Sequence, residues 1–211
     1  MTTELSKPPL RGNRMLHETW DLIKFALICF AIVFPIRMFV AQPFVVNGDS
    51  MNPTFHNGDY IIVDQLIYKF SAPKRGDVVI FRLPDNTKRF LIKRVIGLPG
   101  ETVKLGTTDI TIINTEHPDG FVLTAEDEPY ISNSFAYDKT TVLDDDEYLV
   151  LGDNRPNSSD SHIWGTLPEK DIVGRAWLRL LPLNALNAKP GDYRGSYAVE
   201  TALFPTDETT Y

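Results

Sequence analysis

Very little in this chain could build a metal cluster or a disulfide framework. Cys29 is its single cysteine, and its four histidines, His17, His56, His117 and His162, are far apart in sequence. An internal disulfide and a multi-cysteine zinc site are therefore excluded, and no metal is assigned. Positive charge is also short. Lys and Arg number 21 against 28 Asp and Glu, a formal net charge of −7. This weighs against a nucleic-acid partner, because the phosphate backbone selects for cationic faces. No block repeats at the 20- to 50-residue period of a solenoid. What remains is 43% hydrophobic and 23% charged over 211 residues. That suits one ordinary domain with an appendage and excludes whole-chain disorder.

The charge is unevenly spread. Residues 101–150 hold twelve acids and two bases, whereas residues 50–100 hold eight bases and four acids. The runs Glu126-Asp127-Glu128 and Asp144-Asp145-Asp146-Glu147 read most simply as solvated loop surface. Apolar residues are concentrated in LIKFALICFAIVFPIRMFVA, Leu22 to Ala41, which Lys24, Pro35 and Arg37 interrupt. As a helix rising about 1.5 Å per residue, that segment reaches about 30 Å, the thickness of bilayer hydrocarbon. Trp20 stands where interfacial aromatics anchor, and Lys24 and Arg37 are placed to snorkel. Upstream Lys7, Arg11 and Arg14 favour a cytoplasmic N-terminus. A cleaved leader fits less well, because Phe39 is too bulky for the −3 position before a cut after Ala41. A buried helix of a soluble protein is the other alternative, since Phe25–Ile36 spans only twelve residues.

After Pro43 the pattern changes to short runs rich in β-branched and aromatic residues. Tyr60–Val63, Val78–Phe81, Phe90–Ile96, Thr102–Leu105, Ile110–Ile113, Tyr148–Leu151 and Ile172–Leu181 read as strands between turn signals. No amphipathic helix of three turns follows residue 43. The expected body is mostly β and antiparallel, partly closed or folded into two sheets.

Three constellations in that body carry polar chemistry. Asn47-Gly48-Asp49-Ser50-Met51-Asn52-Pro53-Thr54 is a turn directly after Phe44-Val45-Val46, able to expose the Ser50 hydroxyl with its own N–H aimed at an oxyanion; an ordinary Asp-Ser turn is the alternative. Lys93 lies in the apolar strand FLIKRVIG, where alternation sends Lys93 and Arg94 to opposite faces. A desolvated lysine there loses its proton more easily and can act as a base, whereas one snorkelling to water cannot. Last comes LGDNRPNSSDSHIWG, Leu151 to Gly165, a dense polar loop. Its His162 is open to metal, triad-base or merely supporting roles, and the lack of a nearby second histidine favours the last.

Together these segments resemble bacterial signal peptidase I, the leader peptidase of the Ser–Lys serine protease family. The likeness is carried by PFVVNGDSMNPT, GDYIIVD with RGDVVIF, IKRVIGLPGE and GDNRPNSSDSHIWG, in that order behind an apolar segment. The resemblance implies a β-sheet protease domain with an N-terminal transmembrane helix. It implies Ser50 as nucleophile, Lys93 as general base, Ser158 and Asp160 as supports of the base and its loop, and the Ser50 backbone N–H in the oxyanion hole. Gly48 stands where many relatives carry a second, hydroxyl donor, so that donor is unassigned. His162 stands where the family usually has Arg. Phe44, Val46, Met51, Phe55 and Ile92 match positions that line shallow pockets for small side chains.

The expected organisation follows. Residues 1–21 form a cytoplasmic tail, 22–41 a transmembrane anchor and 43–182 an exported peptidase domain. Within that domain about 101–147 are an acidic surface insertion, and 183–211 are a tail without an assigned role. The implied activity is a membrane-bound endopeptidase that removes signal peptides from exported preproteins, cleaving after small residues through an acyl-enzyme. It needs no cofactor, and the setting is the plasma (inner) membrane, with signal peptides and the lipid bilayer as partners. A self-cleaving repressor-type protease would need a DNA-binding domain and a cleavable linker where this sequence has an apolar segment, and the presence of both Ser50 and Lys93 argues against a catalytically silent scaffold.

Overall fold

The computed structural model describes residues 12–35, 41–107, 109–124, 127–131 and 137–193. The chain divides into Met1–Val40 and Ala41–Tyr211. In the first unit, α1 runs from Gly12 to Pro35. Its apolar side chains from Trp20 to Phe34 are exposed, apart from a half-buried Cys29, and Phe30 stacks on Phe34 one turn away. No helix among the described residues is long and apolar enough to cross a membrane. The expected Leu22–Ala41 span falls partly on residues 36–40, outside the described residues.

The second unit is built of strands β1 (Ala41–Val45), β2 (Tyr60–Asp64), β3 (Val78–Leu83), β4 (Asn86–Gly97), β5 (Thr102–Leu105), β6 (Ile110–Ile113), β7 (Phe121–Leu123), β8 (Lys139–Val142), β9 (Glu147–Leu151), β10 (Leu167–Pro168), β11 (Ile172–Leu181) and β12 (Asn187–Ala188). Its helices α2 (Ile67–Phe70) and α3 (Ser161–Trp164) are single turns. The larger sheet runs β1-β2-β11-β3-β4-β9-β10, with β12 beside β11, and the smaller runs β7-β6-β5-β8. Each described pairing is antiparallel.

The expected partial closure does not occur. β1 and β10 are the free ends of the larger sheet's path, and β10 is only two residues long. The chain hides its apolar faces by stacking elements instead. Alternation along β3 shows how, with Val78 and Ile80 joining one buried cluster and Val79 and Phe81 another. A third cluster binds the sheets together, setting Ile96, Leu149 and Leu151 against Val103, Leu105, Ile110 and Ile112. Each such side chain contributes about 1.5–3 kcal/mol by leaving water. Gly97 marks how closely the sheets approach, since a Cβ there would lie 2.6 Å from Val103 Cγ2.

One surface expectation is corrected. Asp144, Asp145 and Asp146 are exposed, but Asp127 and Glu128 are buried. Asp127 accepts hydrogen bonds from the Thr124 N–H and hydroxyl, and Glu128 pairs with Arg155. An acid enters the interior when a donor or cation awaits it there. Here the cation comes from a loop distant in sequence, so the charge run gave no sign of it.

Candidate active site

Ser50 sits in the turn that joins β1 to β2, half-buried beside exposed Asn47, Gly48 and Asp49. Gly48 has φ +93°, a conformation that favours glycine, and its N–H donates to Asn57 Oδ1 at 2.9 Å. The far side of the turn is fixed by Asn154, whose backbone N–H and side-chain amide donate to the Ser50 and Asp49 carbonyls, each at 3.0 Å.

β4 supplies the amine. Lys93 Nζ lies 2.7 Å from Ser50 Oγ and donates to the Ile92 carbonyl at 2.8 Å. Lys93 and Arg94 face opposite ways along the strand, and both are buried, at 2% and 0% exposure. Burial pushes the Lys93 pKa down from 10.5 to about 8, against the opposing pull of the Asp160 and Asp153 carboxylates. Arg94 cannot shed its charge in the same way and is paired instead. Its Nε and Nη2 donate to the two Asp153 oxygens at 2.8 and 2.6 Å. Asp153 also accepts from the Thr54 hydroxyl. This buried group therefore links the base strand, the nucleophile turn and the loop after β9.

That loop is braced from several sides. Asp160, fully buried, accepts from the Gly152 N–H at 2.9 Å and contacts His162 Nδ1 at 2.6 Å. The His162 ring stacks on Tyr137, 4.5 Å between centroids. The Tyr137 hydroxyl donates to the Arg155 carbonyl at 3.0 Å. Lys139 Nζ donates to the Ser161 and His162 carbonyls, both at 3.1 Å.

Not every expected contact forms. Lys93 directs its hydrogen bonds to Ser50 and Ile92, and the buried Ser158 Oγ has no hydrogen-bond partner among the described residues. Ser158 is nonetheless close at hand, across Gly152. A Cβ on Gly152 would lie 2.2 Å from Ser158 Oγ and 2.5 Å from the Ser50 carbonyl oxygen. Gly152→Ala should therefore displace the Ser50 turn and cost at least about tenfold in kcat, as misplacements of this kind do. Steady-state kinetics on the folded variant check this.

Ser50 and Lys93 line an open-sided groove. Of the five residues assigned to substrate pockets, Phe44, Val46 and Ile92 line it, together with Ile61, Ile80, Phe90 and Leu91. Met51 and Phe55 do not; they are fully buried in the core cluster with Val46, Ile61 and Ile80. Large apolar side chains that follow a tight turn fill the core beside it before they line a surface groove.

The family model described as "Signal peptidase, peptidase S26" matches residues 19–181. The chain belongs to this family. It is accordingly a serine peptidase, a hydrolase. Among its relatives, the probable signal peptidase I-2 of Synechocystis is 38% identical over 79% of this chain and 76% of its own. Signal peptidase I of Leptolyngbya laminosa is 38% identical over 78% of this chain and 80% of its own. Signal peptidase IB of Staphylococcus aureus is 32% identical over 81% and 93%. A solved signal peptidase I from Enterococcus faecalis is 28% identical, with a TM-score of 0.42 over 50% of this chain and 97% of that one.

Arg94–Asp153, Arg155–Glu128, Tyr137, Lys139 and Gly152 went unremarked as site residues in the sequence. The one available signal was an arginine inside an apolar strand. A buried arginine demands an acid, but the acid's position in sequence is set by topology alone.

Proposed function

We propose that this family member is a membrane-bound signal peptidase I that removes signal peptides from exported preproteins, with Ser50 as nucleophile and Lys93 as general base. One observation supports this reading above all. The amine and hydroxyl are 2.7 Å apart in a groove lined mostly by apolar residues, and burial pushes the amine's pKa down to about 8.

The neutral amine takes the Ser50 proton as Oγ attacks the carbonyl after a small side chain. The tetrahedral oxyanion is met by the Ser50 N–H. Gly48 offers no hydroxyl as a second donor, and its N–H is held by Asn57. Lys93 then gives its proton to the departing amine. An acyl ester remains, which water activated by the same lysine releases. This chemistry needs neither metal nor organic cofactor. Asp160 steadies the loop after β9 by accepting the Gly152 N–H.

The anchor in this reading is Leu22–Ala41. The apolar side chains that α1 leaves uncovered would cost free energy in water and none in lipid. The N-terminus then stays in the cytoplasm, and the domain from residue 43 onward works on the outer face of the plasma membrane.

The test is to mix the purified chain, in detergent, with a preprotein carrying Ala at −1 and with one carrying Leu there. A defined mature fragment is expected from the Ala substrate. Cleavage of the Leu substrate should be at least about fivefold slower, since forcing extra methylenes into a site shaped for a small side chain costs about 1–3 kcal/mol. Equal rates would contradict the pocket reading, and no fragment from either substrate would contradict the function.

A further inference from the structure

The family match ends at residue 181, yet the chain continues in a described segment that closes over the Arg94–Asp153 pair. β12 pairs with β11 through Ala188 and Leu178, and the Lys189 N–H donates to the Trp177 carbonyl at 2.6 Å. Lys189 then takes a φ of 57°, and the Asp192 N–H returns to the Lys189 carbonyl at 3.2 Å. This turn brings the Gly191 carbonyl to Arg94 Nη1 at 2.5 Å. The Tyr193 ring lies 5.3 Å from the Arg94 guanidinium, the Tyr130 ring lies 3.9 Å from it, and the two rings are 5.2 Å apart.

Arg94 thus has no exposed surface, and part of its cover comes from the strap Asn187–Tyr193. Gly191 fits this approach in two ways. Its φ is +74°, and a Cβ would lie 2.5 Å from Thr54 Cγ2 and 3.1 Å from Arg94 Nη2. Thr54 belongs to the nucleophile turn, so the strap rests on that turn and on the cation beneath it.

We propose that Gly191 and Tyr193 are positioning residues for the peptidase reaction, acting on Ser50 through Arg94, Asp153 and Thr54. The proposal rests on the roles given above to Ser50 and Lys93. The route is short. Arg94 holds both Asp153 oxygens, and Asp153 holds the Thr54 hydroxyl. The next residue, Asn154, holds the Ser50 and Asp49 carbonyls. With the strap in place the guanidinium is dry, and its hydrogen bonds to Asp153 are strong and directional. Lifting the strap admits water, loosens that grip and lets the Ser50 turn wander. None of Thr54, Arg94 and Asp153 lines the groove, so substrate binding should be spared.

Full-length Gly191→Ala, Tyr193→Ala and Tyr193→Phe chains are compared with the unaltered chain by preprotein kinetics and by backbone hydrogen exchange. Gly191→Ala and Tyr193→Ala should lower kcat between about tenfold and a hundredfold with KM unchanged. Tyr193→Phe, which keeps the ring, should retain kcat. In the two impaired variants the amides of Asn52, Phe55 and Asn154 should exchange faster, while those of β5 and β6 keep their rates. Unchanged kcat, or unchanged exchange at residues 50–55 and 152–155, overturns the proposal. So does a loss of protection that spreads across the smaller sheet, because the strap would then be a general stabiliser. Should the unaltered chain cleave no preprotein while exchange changes as described, the function reading falls and the strap's hold on the nucleophile turn stands.

Discussion

Lys93→Arg should abolish peptide cleavage in a chain that still folds. The substitution keeps a positive charge on β4 but replaces an amine that can be neutral with a guanidinium that cannot deprotonate in a protein. Lys93 Nζ is 2.7 Å from Ser50 Oγ, so no other titratable group of the site stands between them. The loss in kcat should be on the order of 10⁴-fold or more, as for other nucleophile–base units. Ser50→Ala should match it, and the double variant should be no worse than either single one, because the two residues act as one device. The check is single-turnover cleavage of a preprotein, with near-ultraviolet circular dichroism confirming the fold. Turnover by Lys93→Arg within tenfold of the unaltered chain would return His162 or His56 to consideration as the base.

Arg94→Met should give the largest stability loss of any single substitution at the site. Arg94 and Asp153 are both buried, and the guanidinium engages both carboxylate oxygens. Removing the cation alone strands a carboxylate in the interior at a cost of about 3–5 kcal/mol. Removing both charges, in Arg94→Met with Asp153→Leu, should recover much of that stability, since a packed apolar pair avoids the desolvation penalty. Denaturant unfolding midpoints measure both. A loss below about 1 kcal/mol for Arg94→Met would mean that water reaches Asp153.

Much of this arrangement was legible in the residues. The seven strand readings fall on β2, β3, β4, β5, β6, β9 and β11, because β-branched runs between turn residues leave few alternatives. β1, β7, β8 and the two-residue β10 and β12 have no counterpart among those readings. Ala41–Val45 follows directly on the apolar N-terminal segment, and Phe121–Leu123 and Lys139–Val142 are too short or too polar to show alternation. At the site, residue chemistry alone left the roles of Ser50 and Lys93 open and the family resemblance implied the pair; the structure brings them within hydrogen-bond distance. Long-range polar pairings were hidden instead. Glu128 in an acidic run gives no hint of Arg155, and neither Tyr193 nor Gly191 suggests an arginine nearly a hundred residues earlier. Such partners depend on how strands are ordered in the sheet, and local propensity carries no information about that.

The neutrality of Lys93 is the claim on which the account depends, and the pH dependence of kcat/KM for preprotein cleavage tests it most directly. The folded pKa is pushed down to about 8, chiefly by burial. Only the deprotonated amine accepts a proton, so activity must rise as pH rises through that value. At pH 7 about a tenth of the molecules then hold a neutral amine. The predicted profile climbs close to tenfold per pH unit below about 7, bends near 8 and is flat above 9. A profile already flat by pH 7 would place the working base in the histidine range and contradict the assignment of Lys93.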